Sequence, residues 1–406
     1  MKLLQINSVI NTGSTGRIAE DIGKLAKLNS WESYIAYGRY GNKSESKVIK
    51  IGSIFNVLCH VILTRIFDLH GLASNKATRV FLKEIEKINP DIVHIHNLHG
   101  YYINYEILLE YLKTKSIPIV LTLHDCWIFT GHCAYYSFIK CDKWKTECFK
   151  CPQKSAYPSS IGLDNSRKNF NKKRHLFKQM SNLTIIPVSG WLASQARESF
   201  LAPHKIKVIN NGVDLEIFSA ENHGSLIKKS SLQDKFIILG VANIWDKRKG
   251  FDDFILLTKF LEKDEVIVLV GLNKKQIKNL PSNILGVERT ESTTELAEFY
   301  SLADVFFNPT WEDNFPTTNI ESLACGTPVI TYYTGGSPEA VSKETGFVCE
   351  QGNLEDVVKK IRIIKNNGKE IYFDACRKRA VDYYNKENRY SDYIDLYKRL
   401  INEQNV

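Results

Sequence analysis

The sequence predicts an α/β protein of two domains, each built on a parallel β-sheet with helices on both faces. The chain has 406 residues, about twice the length that a single core usually supports. Short apolar runs alternate with longer amphipathic stretches, which is typical of parallel strands joined by helical crossovers. This alternation is interrupted by a polar linker, residues 221–233, and then restarts, so a second sheet is predicted.

The first domain is predicted to span residues 1–214. Its strands are predicted at residues 2–9, 34–37, 91–95, 117–123, 184–188 and 207–210, with helices at 18–28 and 105–112. The last segment, residues 385–406, is aromatic-rich and helical, and we expect it to pack back on this domain.

The second domain is predicted to span residues 215–384. Its strands are predicted at residues 236–241, 266–270, 305–308 and 329–331, and its helices at 251–260, 294–302, 317–324 and 354–365. Ligands of such sheets bind beyond the carboxyl ends of the strands, where polar loops follow in both halves. We therefore expect two doubly wound domains that face one central cleft.

Composition restricts the class of protein without deciding its function. The charge of +9, from 54 basic and 45 acidic residues, suits an anionic substrate, a nucleic acid or an anionic membrane. Residues 51–72 form the best apolar run, but His60, Arg65 and Asp68 interrupt it, so no membrane span is predicted. Polar residues directly after the first strand argue against a signal peptide, and we expect a cytoplasmic protein with reduced thiols.

The strongest chemical signal is the segment 313–339, DNFPTTNIESLACGTPVITYYTGGSPE. A helix beginning at Thr317 and Thr318 would direct its first amides at an anion such as a diphosphate. Glu321, one turn further, could accept hydrogen bonds from the vicinal hydroxyls of a ribose. Gly335 and Gly336 would allow a backbone to approach a ligand closely.

A basic turn, NIWDKRKG at residues 243–250, follows the first strand of the second domain. Its cations Arg248 and Lys249 could stabilise the negative charge that develops on a leaving diphosphate. A solvated basic turn is the alternative interpretation.

These motifs resemble the donor site of glycosyltransferase family 4, whose members are retaining enzymes with the GT-B fold. The match consists of Asp313 and Glu321 eight residues apart, CGTPV at 325–329, GGSPE at 335–339 and the ending KG at 249–250. The resemblance implies that Glu321 holds the ribose, that Asp313 holds the sugar hydroxyls, and that Arg248 and Lys249 bind the diphosphate. It further implies donor contacts from Gly16, Asn243, Asn314, Phe315, Thr317, Thr318, Gly335 and Gly336.

The chain departs from the family pattern at three positions. The first acid is Asp313 where Glu is usual, Pro316 replaces a glycine, and Asn243 stands where an arginine is usual. A catalytically inactive scaffold therefore stays an alternative.

In the first domain the resemblance assigns His124, which ends the strand LTLHDCW, to the donor sugar or the reaction centre. The alternative is a packed histidine bonded to Asp125. The segment HNLHGYY at 96–102 lies where an acceptor would enter, and we predict His99 and Tyr101 as acceptor-binding residues.

Five of the nine cysteines lie within residues 126–151. Cys133, Cys141, Cys148 and Cys151 form a C-x7-C-x6-C-x2-C array, which could hold a structural zinc ion in tetrahedral geometry. Two disulfides or buried thiols are the alternatives.

A basic segment, RKNFNKKRHLFK at residues 167–178, could rest on an anionic membrane. A solvated helix face is the alternative.

Taken together, the sequence predicts a glycosyltransferase that uses a nucleotide-sugar donor and a lipid-linked oligosaccharide acceptor, peripheral on the inner face of the cytoplasmic membrane. Retention is implied by the resemblance, and the pathway would be the synthesis of a bacterial surface polysaccharide. No Asp-x-Asp motif follows a predicted strand, which is consistent with catalysis without a divalent metal cofactor. A sugar-nucleotide epimerase and a phosphorylase share the architecture and remain alternatives. A nucleic-acid-binding protein with a zinc cluster is disfavoured, because the cations are not interleaved with aromatic residues on one stripe.

Overall fold

The computed structural model describes residues 1–219, 232 and 234–404, so the predicted linker lies outside the described residues except for Leu232. The chain divides into two compact units, Met1–Asn210 with Tyr390–Val406, and Asn211–Arg389. Each unit contains one parallel sheet covered by helices, and the predicted α/β class with two Rossmann-like sheets is confirmed.

The sheet of the first unit has seven parallel strands in the order β3-β2-β1-β4-β5-β6-β7. The strands are β1 (Lys2–Asn7), β2 (Glu32–Tyr37), β3 (Lys47–Lys50), β4 (Ile92–Ile95), β5 (Ile119–Leu123), β6 (Leu183–Pro187) and β7 (Lys205–Ile206). The central strands β1, β4 and β5 are almost entirely buried, which explains why most of their residues are apolar. The strand predicted at 207–210 is wrong, because the last strand ends at Ile206.

Six helices connect these strands. They are α1 (Gly13–Leu28), α2 (Ile54–Phe67), α3 (Asn75–Ile88), α4 (Tyr105–Lys113), α5 (Ser166–Lys178) and α6 (Gly190–Glu198). α1 buries Ile18, Ile22 and Ala26 on one face, the spacing that packs a helix on a sheet. The apolar run at 51–72 forms α2, and no helix among the described residues is both long and apolar enough to cross a bilayer.

The sheet of the second unit has six parallel strands in the order β10-β9-β8-β11-β12-β13. The strands are β8 (Phe236–Val241), β9 (Glu265–Val270), β10 (Ile284–Val287), β11 (Val305–Asn308), β12 (Val329–Tyr332) and β13 (Gly346–Cys349). Its helices are α7 (Phe251–Leu257), α8 (Lys274–Lys278), α9 (Thr293–Leu302), α10 (Thr317–Ala324), α11 (Leu354–Asn367) and α12 (Glu370–Tyr384). The central strands β8, β11 and β12 are neighbours, so their carboxyl ends lie side by side.

The final helix, α13 (Lys386–Gln404), packs on the sheet of the first unit, as predicted. Its residues Tyr393, Ile394 and Tyr397 belong to the same buried cluster as strands β1, β4 and β5. The Tyr397 hydroxyl lies 2.6 Å from His94 Nδ1 on β4, and the Tyr393 hydroxyl lies 3.1 Å from Thr122 Oγ1 on β5. Buried hydrogen bonds therefore fix this helix in addition to apolar packing.

Candidate active site

The turn after β8 is built to present two cations. The Asp246 carboxylate accepts a hydrogen bond of 2.9 Å from the Lys249 amide and so caps a short helical turn. The turn ends at Gly250, which has φ of 75° and lies so close to Pro309 that a Cβ atom would come within 2.2 Å of its carbonyl oxygen. A residue other than glycine would thus displace the turn from the end of β11.

Lys249 crosses from this turn to the loop after β11. Its Nζ lies 2.5 Å from Asp313 Oδ2, and both side chains are mostly buried, with exposures of 24% and 16%. Arg248 donates a 3.1 Å hydrogen bond to the Glu312 carbonyl, and its own carbonyl accepts from the Trp311 amide at 2.8 Å. The predicted diphosphate cations and the predicted sugar-binding acid are therefore brought together.

The helix α10 begins next to this pair. Pro316 precedes it without a side-chain cap, and the amides of Thr317 and Thr318 are its first donors, which have no acceptor inside a helix. Both residues are partly exposed. Glu321 is buried and accepts a 3.0 Å hydrogen bond from the Tyr300 hydroxyl at Oε2. Burial and the nearby Glu321 carboxylate raise the pKa of Tyr300 well above its usual value, so Tyr300 remains a donor.

Gly335 and Gly336 pack against the backbone of the acidic loop. A Cβ atom on Gly335, whose φ is 51°, would lie 1.8 Å from the Asp313 carbonyl oxygen, and the Gly336 amide donates to that oxygen at 3.3 Å. The two glycines therefore allow close packing against the backbone of Asp313. The reason for glycine predicted from the sequence was a different one, the close approach of a ligand.

Asn319 is a structural residue of the site that the sequence did not reveal. Its Oδ1 accepts from Asn308 Nδ2 at 2.7 Å, and its Nδ2 donates to the Ser337 carbonyl at 3.1 Å. It therefore ties α10 to the end of β11 and to the GGSPE turn. The remaining predicted donor residues differ in accessibility, since Asn314 and Phe315 are buried while Asn243 is exposed in the turn after β8.

In the first unit a chain of hydrogen bonds determines which ring nitrogen of His124 donates a proton. Gln5 Nε2 donates to the Ala19 carbonyl at 2.8 Å, so its Oε1 accepts from His96 Nε2 at 3.0 Å. Burial holds the pKa of His96 well below its usual value, and the neutral ring accepts at Nδ1 from His124 Nε2 at 3.1 Å. Burial also lowers the pKa of His124 to about 4, so His124 is neutral near pH 7.

The partner of Asp125 is His99 and not His124. Asp125 Oδ2 lies 2.6 Å from His99 Nε2, which corrects the alternative in which His124 pairs with Asp125. Tyr101, the other predicted acceptor residue, is buried and has a left-handed backbone with φ of 67°. Its ring centroid lies 4.7 Å from that of His70, so His99 and Tyr101 belong to one aromatic cluster.

Gly16 lies inside the first turn of α1, which begins at Gly13, so the predicted glycine turn is part of the helix. A Cβ atom on Gly16 would lie 3.1 Å from Val9 and 3.2 Å from the Asn11 amide. Glycine at this position therefore allows α1 to begin directly beside the end of β1.

Comparison with known proteins decides the family. Residues 24–217 match the model described as Glycosyltransferase Family 4, and residues 224–381 match Glycosyl transferases group 1. The chain is 24% identical to the colanic acid biosynthesis glycosyl transferase WcaC of Escherichia coli (strain K12), over 98% of this chain and 100% of that one. The chain belongs to the family 4 glycosyltransferases.

Two further similarities concern this glycosyltransferase. It is 26% identical to the Escherichia coli UDP-Gal:alpha-D-GlcNAc-diphosphoundecaprenol alpha-1,3-galactosyltransferase, over 50% of this chain and 57% of that one. Its fold is similar to Anabaena Alr3699/HepE, solved in complex with UDP-glucose, with a TM-score of 0.65, 14% identity and coverage of 98% and 100%. The GT-B fold predicted from the sequence is thus confirmed.

All nine cysteines of the glycosyltransferase are free thiols, which argues against the two disulfides. Cys133, Cys141, Cys148 and Cys151 line one small cavity, and Cys148 Sγ accepts a hydrogen bond of 3.2 Å from the Gly131 amide. Among the residues that the structure describes, no group of three or more histidine, cysteine or acidic side chains lies close enough together to hold a metal ion. A zinc ion would have to draw the thiols closer together, and the zinc site stays a prediction.

The basic segment 167–178 forms α5, but its apolar residues face inward. Phe170, Leu176 and Phe177 are buried in the first unit, and Lys172 pairs with Glu106 on α4. Insertion of this helix into a bilayer would expose core residues, but Arg167, Lys168 and Lys178 are exposed. Contact of these cations with an anionic membrane surface stays a prediction.

Proposed function

We propose that this glycosyltransferase takes its sugar from a nucleoside diphosphate sugar bound in the second unit. The sugar is transferred to a saccharide carried on a lipid diphosphate, with retention of the anomeric configuration. The pathway is the assembly of a capsule, exopolysaccharide or O-antigen at the inner face of the cytoplasmic membrane.

The ion pair of Lys249 with Asp313, beside the first turn of α10, is the observation that carries the donor proposal. A nucleoside diphosphate leaves with increasing negative charge, and cations held in a partly buried site stabilise that charge more than water does. Lys249, Arg248 and the first amides of α10 supply positive charge at one edge of the sheet. Because side chains carry this charge, the proposal includes no divalent metal ion.

Glu321 is proposed to hold the ribose. It is buried one turn into α10, and the Tyr300 hydroxyl donates to its Oε2. A carboxylate has about four acceptor positions, so the Tyr300 bond is compatible with two further bonds from vicinal hydroxyls. Asp313, already oriented by Lys249, would accept from hydroxyls of the donor sugar.

The proposed reaction needs no general base from the protein. The acceptor hydroxyl attacks the anomeric carbon on the face of the leaving group, as the bond from that carbon to the phosphate oxygen breaks. The departing phosphate oxygen takes the proton of the hydroxyl. His124 donates from Nε2 to His96 and is neutral near pH 7, so it would contact the donor sugar without exchanging a proton.

The lipid-linked acceptor is supported by the relative that acts on GlcNAc-diphosphoundecaprenol, and by an apolar stripe on α2. Ile54, Leu58, Ile62 and Ile66 recur every fourth residue, and each is between 44% and 70% exposed. Such spacing places them on one face of the helix.

The stripe continues onto a neighbouring loop. The amides of Ile161 and Leu163 donate to the carbonyls of Arg65 and Ile66, and their side chains are 77% and 55% exposed. Apolar patches of this kind mark interaction surfaces, and Arg65 and Lys154 at its border suit anionic headgroups. We therefore propose an anionic bilayer as the partner of this surface.

Sedimentation with vesicles of phosphatidylcholine and phosphatidylglycerol tests the membrane contact. Leu58→Ser and Ile62→Ser should each lower partitioning about threefold to tenfold, because each withdraws one apolar side chain from the bilayer. Ile371→Ser is the matched control, since Ile371 is 68% exposed but lies on α12 of the second unit. Equal partitioning of all variants would contradict this contact.

Transfer of a radiolabelled sugar from a panel of nucleotide sugars to polyprenyl-diphosphate saccharides tests the reaction. The product should carry the sugar in the anomeric configuration of the donor. Turnover of the donor without acceptor would favour an epimerase, and dependence on inorganic phosphate would favour a phosphorylase. Either result, or an inverted product, would overturn the proposal.

A further inference from the structure

A chain of three polar side chains runs through the aromatic cluster of the first unit. Asp125 Oδ2 lies 2.6 Å from His99 Nε2, and His99 Nδ1 lies 3.1 Å from the Tyr157 hydroxyl. His99 follows β4 and Asp125 follows β5, and the two strands are neighbours in the sheet. The topology thus brings two loops together at the edge where ligands of such sheets bind.

The hydrogen bonds of Asp125 fix the direction of this chain. Its Oδ1 accepts from the Trp127 amide at 2.9 Å, and its Oδ2 faces His99. Burial would raise the pKa of Asp125, but the neighbouring His99 ring and the Trp127 amide bring it below its usual value. An ionised carboxylate only accepts hydrogen bonds, so His99 Nε2 carries a proton and donates it to Asp125 Oδ2.

In a ring that carries only this one proton, Nδ1 is the acceptor and the Tyr157 hydroxyl donates to it. The Tyr157 oxygen keeps its lone pairs for another donor, while its own proton is directed inward. His99 is only 11% exposed, whereas Tyr157 is 43% exposed, so the chain leads from the interior to the surface.

The surroundings of Tyr157 suit a saccharide attached to a phosphate. The Tyr157 ring packs edge-on against His70, His99 and Tyr101, so its orientation is fixed before a ligand arrives. Arg39 lies close enough to both Tyr101 and Tyr157 to act on them electrostatically, and Arg65 on α2 acts on Tyr101. An aromatic ring, an oriented oxygen and cations are the groups that recognise a sugar next to a phosphate.

We propose that His99 carries a single proton, on Nε2, and that Tyr157 accepts a hydrogen bond from a hydroxyl of the acceptor saccharide. Asp125 and His99 are then positioning residues that hold the Tyr157 oxygen in its accepting state. This assignment deepens the proposed function and rests on it. Tyr157 is thereby added to the predicted acceptor-binding residues. Asp125 acts on Tyr157 through His99 and not through His124.

Two substitutions test the assignment in the transfer assay. Tyr157→Phe removes the oxygen. Asp125→Asn keeps the size but places an amide donor opposite His99 Nε2, which moves the ring proton to Nδ1 and turns the Tyr157 proton outward. Both variants should raise the KM for the acceptor about tenfold or more and leave the KM for the nucleotide sugar unchanged.

Tyr111→Phe on α4 is the matched control and should change neither constant. The double variant should be no worse than Tyr157→Phe alone, because the two substitutions act on one hydrogen bond. The assignment would be overturned if Tyr157→Phe had the same KM for the acceptor as the wild type. It would also be overturned if the effects of the two substitutions on this KM were additive in the double variant.

Nitrogen-15 NMR of the histidine rings in the full chain separates this inference from the proposed function. In the wild type, His99 should be protonated at Nε2 alone. In Asp125→Asn the His99 proton should be on Nδ1, and in Tyr157→Phe it should remain on Nε2. A wild-type proton on Nδ1 would refute the relay even if transfer is observed. If the tautomers are as expected but no nucleotide sugar is used, the proposed function is what fails.

Discussion

Lys249 and Asp313 are 64 residues apart in sequence, and their side chains meet in an ion pair of 2.5 Å at the edge of the second sheet. The pair is mostly withdrawn from solvent, so its charges are screened less than those of a surface pair. It orients a cation and an acid before any donor arrives. Preorganised charges of this kind account for a large part of catalysis in many enzymes.

Glu321→Gln should lower kcat at least about a hundredfold with little effect on folding. Glutamine keeps the size and can still accept from Tyr300, but it loses the charge and one acceptor oxygen. Tyr300→Phe is the control, because it removes the hydroxyl that donates to Glu321 but leaves the Glu321 carboxylate. The activity of this variant should fall only a few-fold. Undiminished turnover of Glu321→Gln would refute the ribose assignment.

Tyr397→Phe should lower the free energy of unfolding by about 1–2 kcal/mol, since it leaves buried His94 Nδ1 without its partner. Tyr383→Phe, at a position 56% exposed on α12, should be neutral within about 0.5 kcal/mol. Urea denaturation measures both. Equal stabilities would show that α13 is held by apolar packing alone.

Stability should fall as the pH is lowered from about 6.5 towards 4. Burial lowers the pKa of His60 to about 4, so between these values the unfolded chain binds a proton that the folded chain excludes. The free energy of unfolding then changes by about 1.4 kcal/mol per pH unit for each such histidine. His60→Asn should reduce the slope of the free energy of unfolding against pH by about this amount. His175→Asn should leave the slope unchanged, because His175 is exposed.

Elemental analysis of the purified chain should find about one zinc ion, held by Cys133, Cys141, Cys148 and Cys151. Cys148→Ser should lose the metal, and Cys349→Ser, at a buried thiol of the second unit, should keep it. Less than about half an equivalent in the wild-type chain would remove the zinc site and leave four packed thiols.

The sequence predicted the central strands and the helix after β11 well, because both have local signals. Residues 317–324 were predicted as a helix and form α10, whose small residues and preceding proline mark its start. The strands β3, β10 and β13 were not predicted. They are edge strands of four residues with exposed positions, so their apolar pattern is too short to recognise.

Pairings between distant loops could not be read from the sequence. Asp125 follows His124 directly, which suggested that these two residues interact, but the strand order places Asp125 opposite His99. The basic segment of α5 has the composition of a membrane helix, and only packing shows that its phenylalanines are internal. The exposed stripe was instead on α2, whose overall apolarity concealed which face is uncovered.

Calorimetric titration of UDP, GDP, ADP and dTDP into wild type, Lys249→Met and Lys247→Met tests the donor site most directly. At least one nucleotide should bind the wild-type chain, with an affinity that falls at least about tenfold in Lys249→Met. Lys247→Met, in the same turn but exposed, should bind as wild type does. Binding of no nucleotide, or equal affinities of wild type and Lys249→Met, would contradict a diphosphate site at this edge of the second sheet.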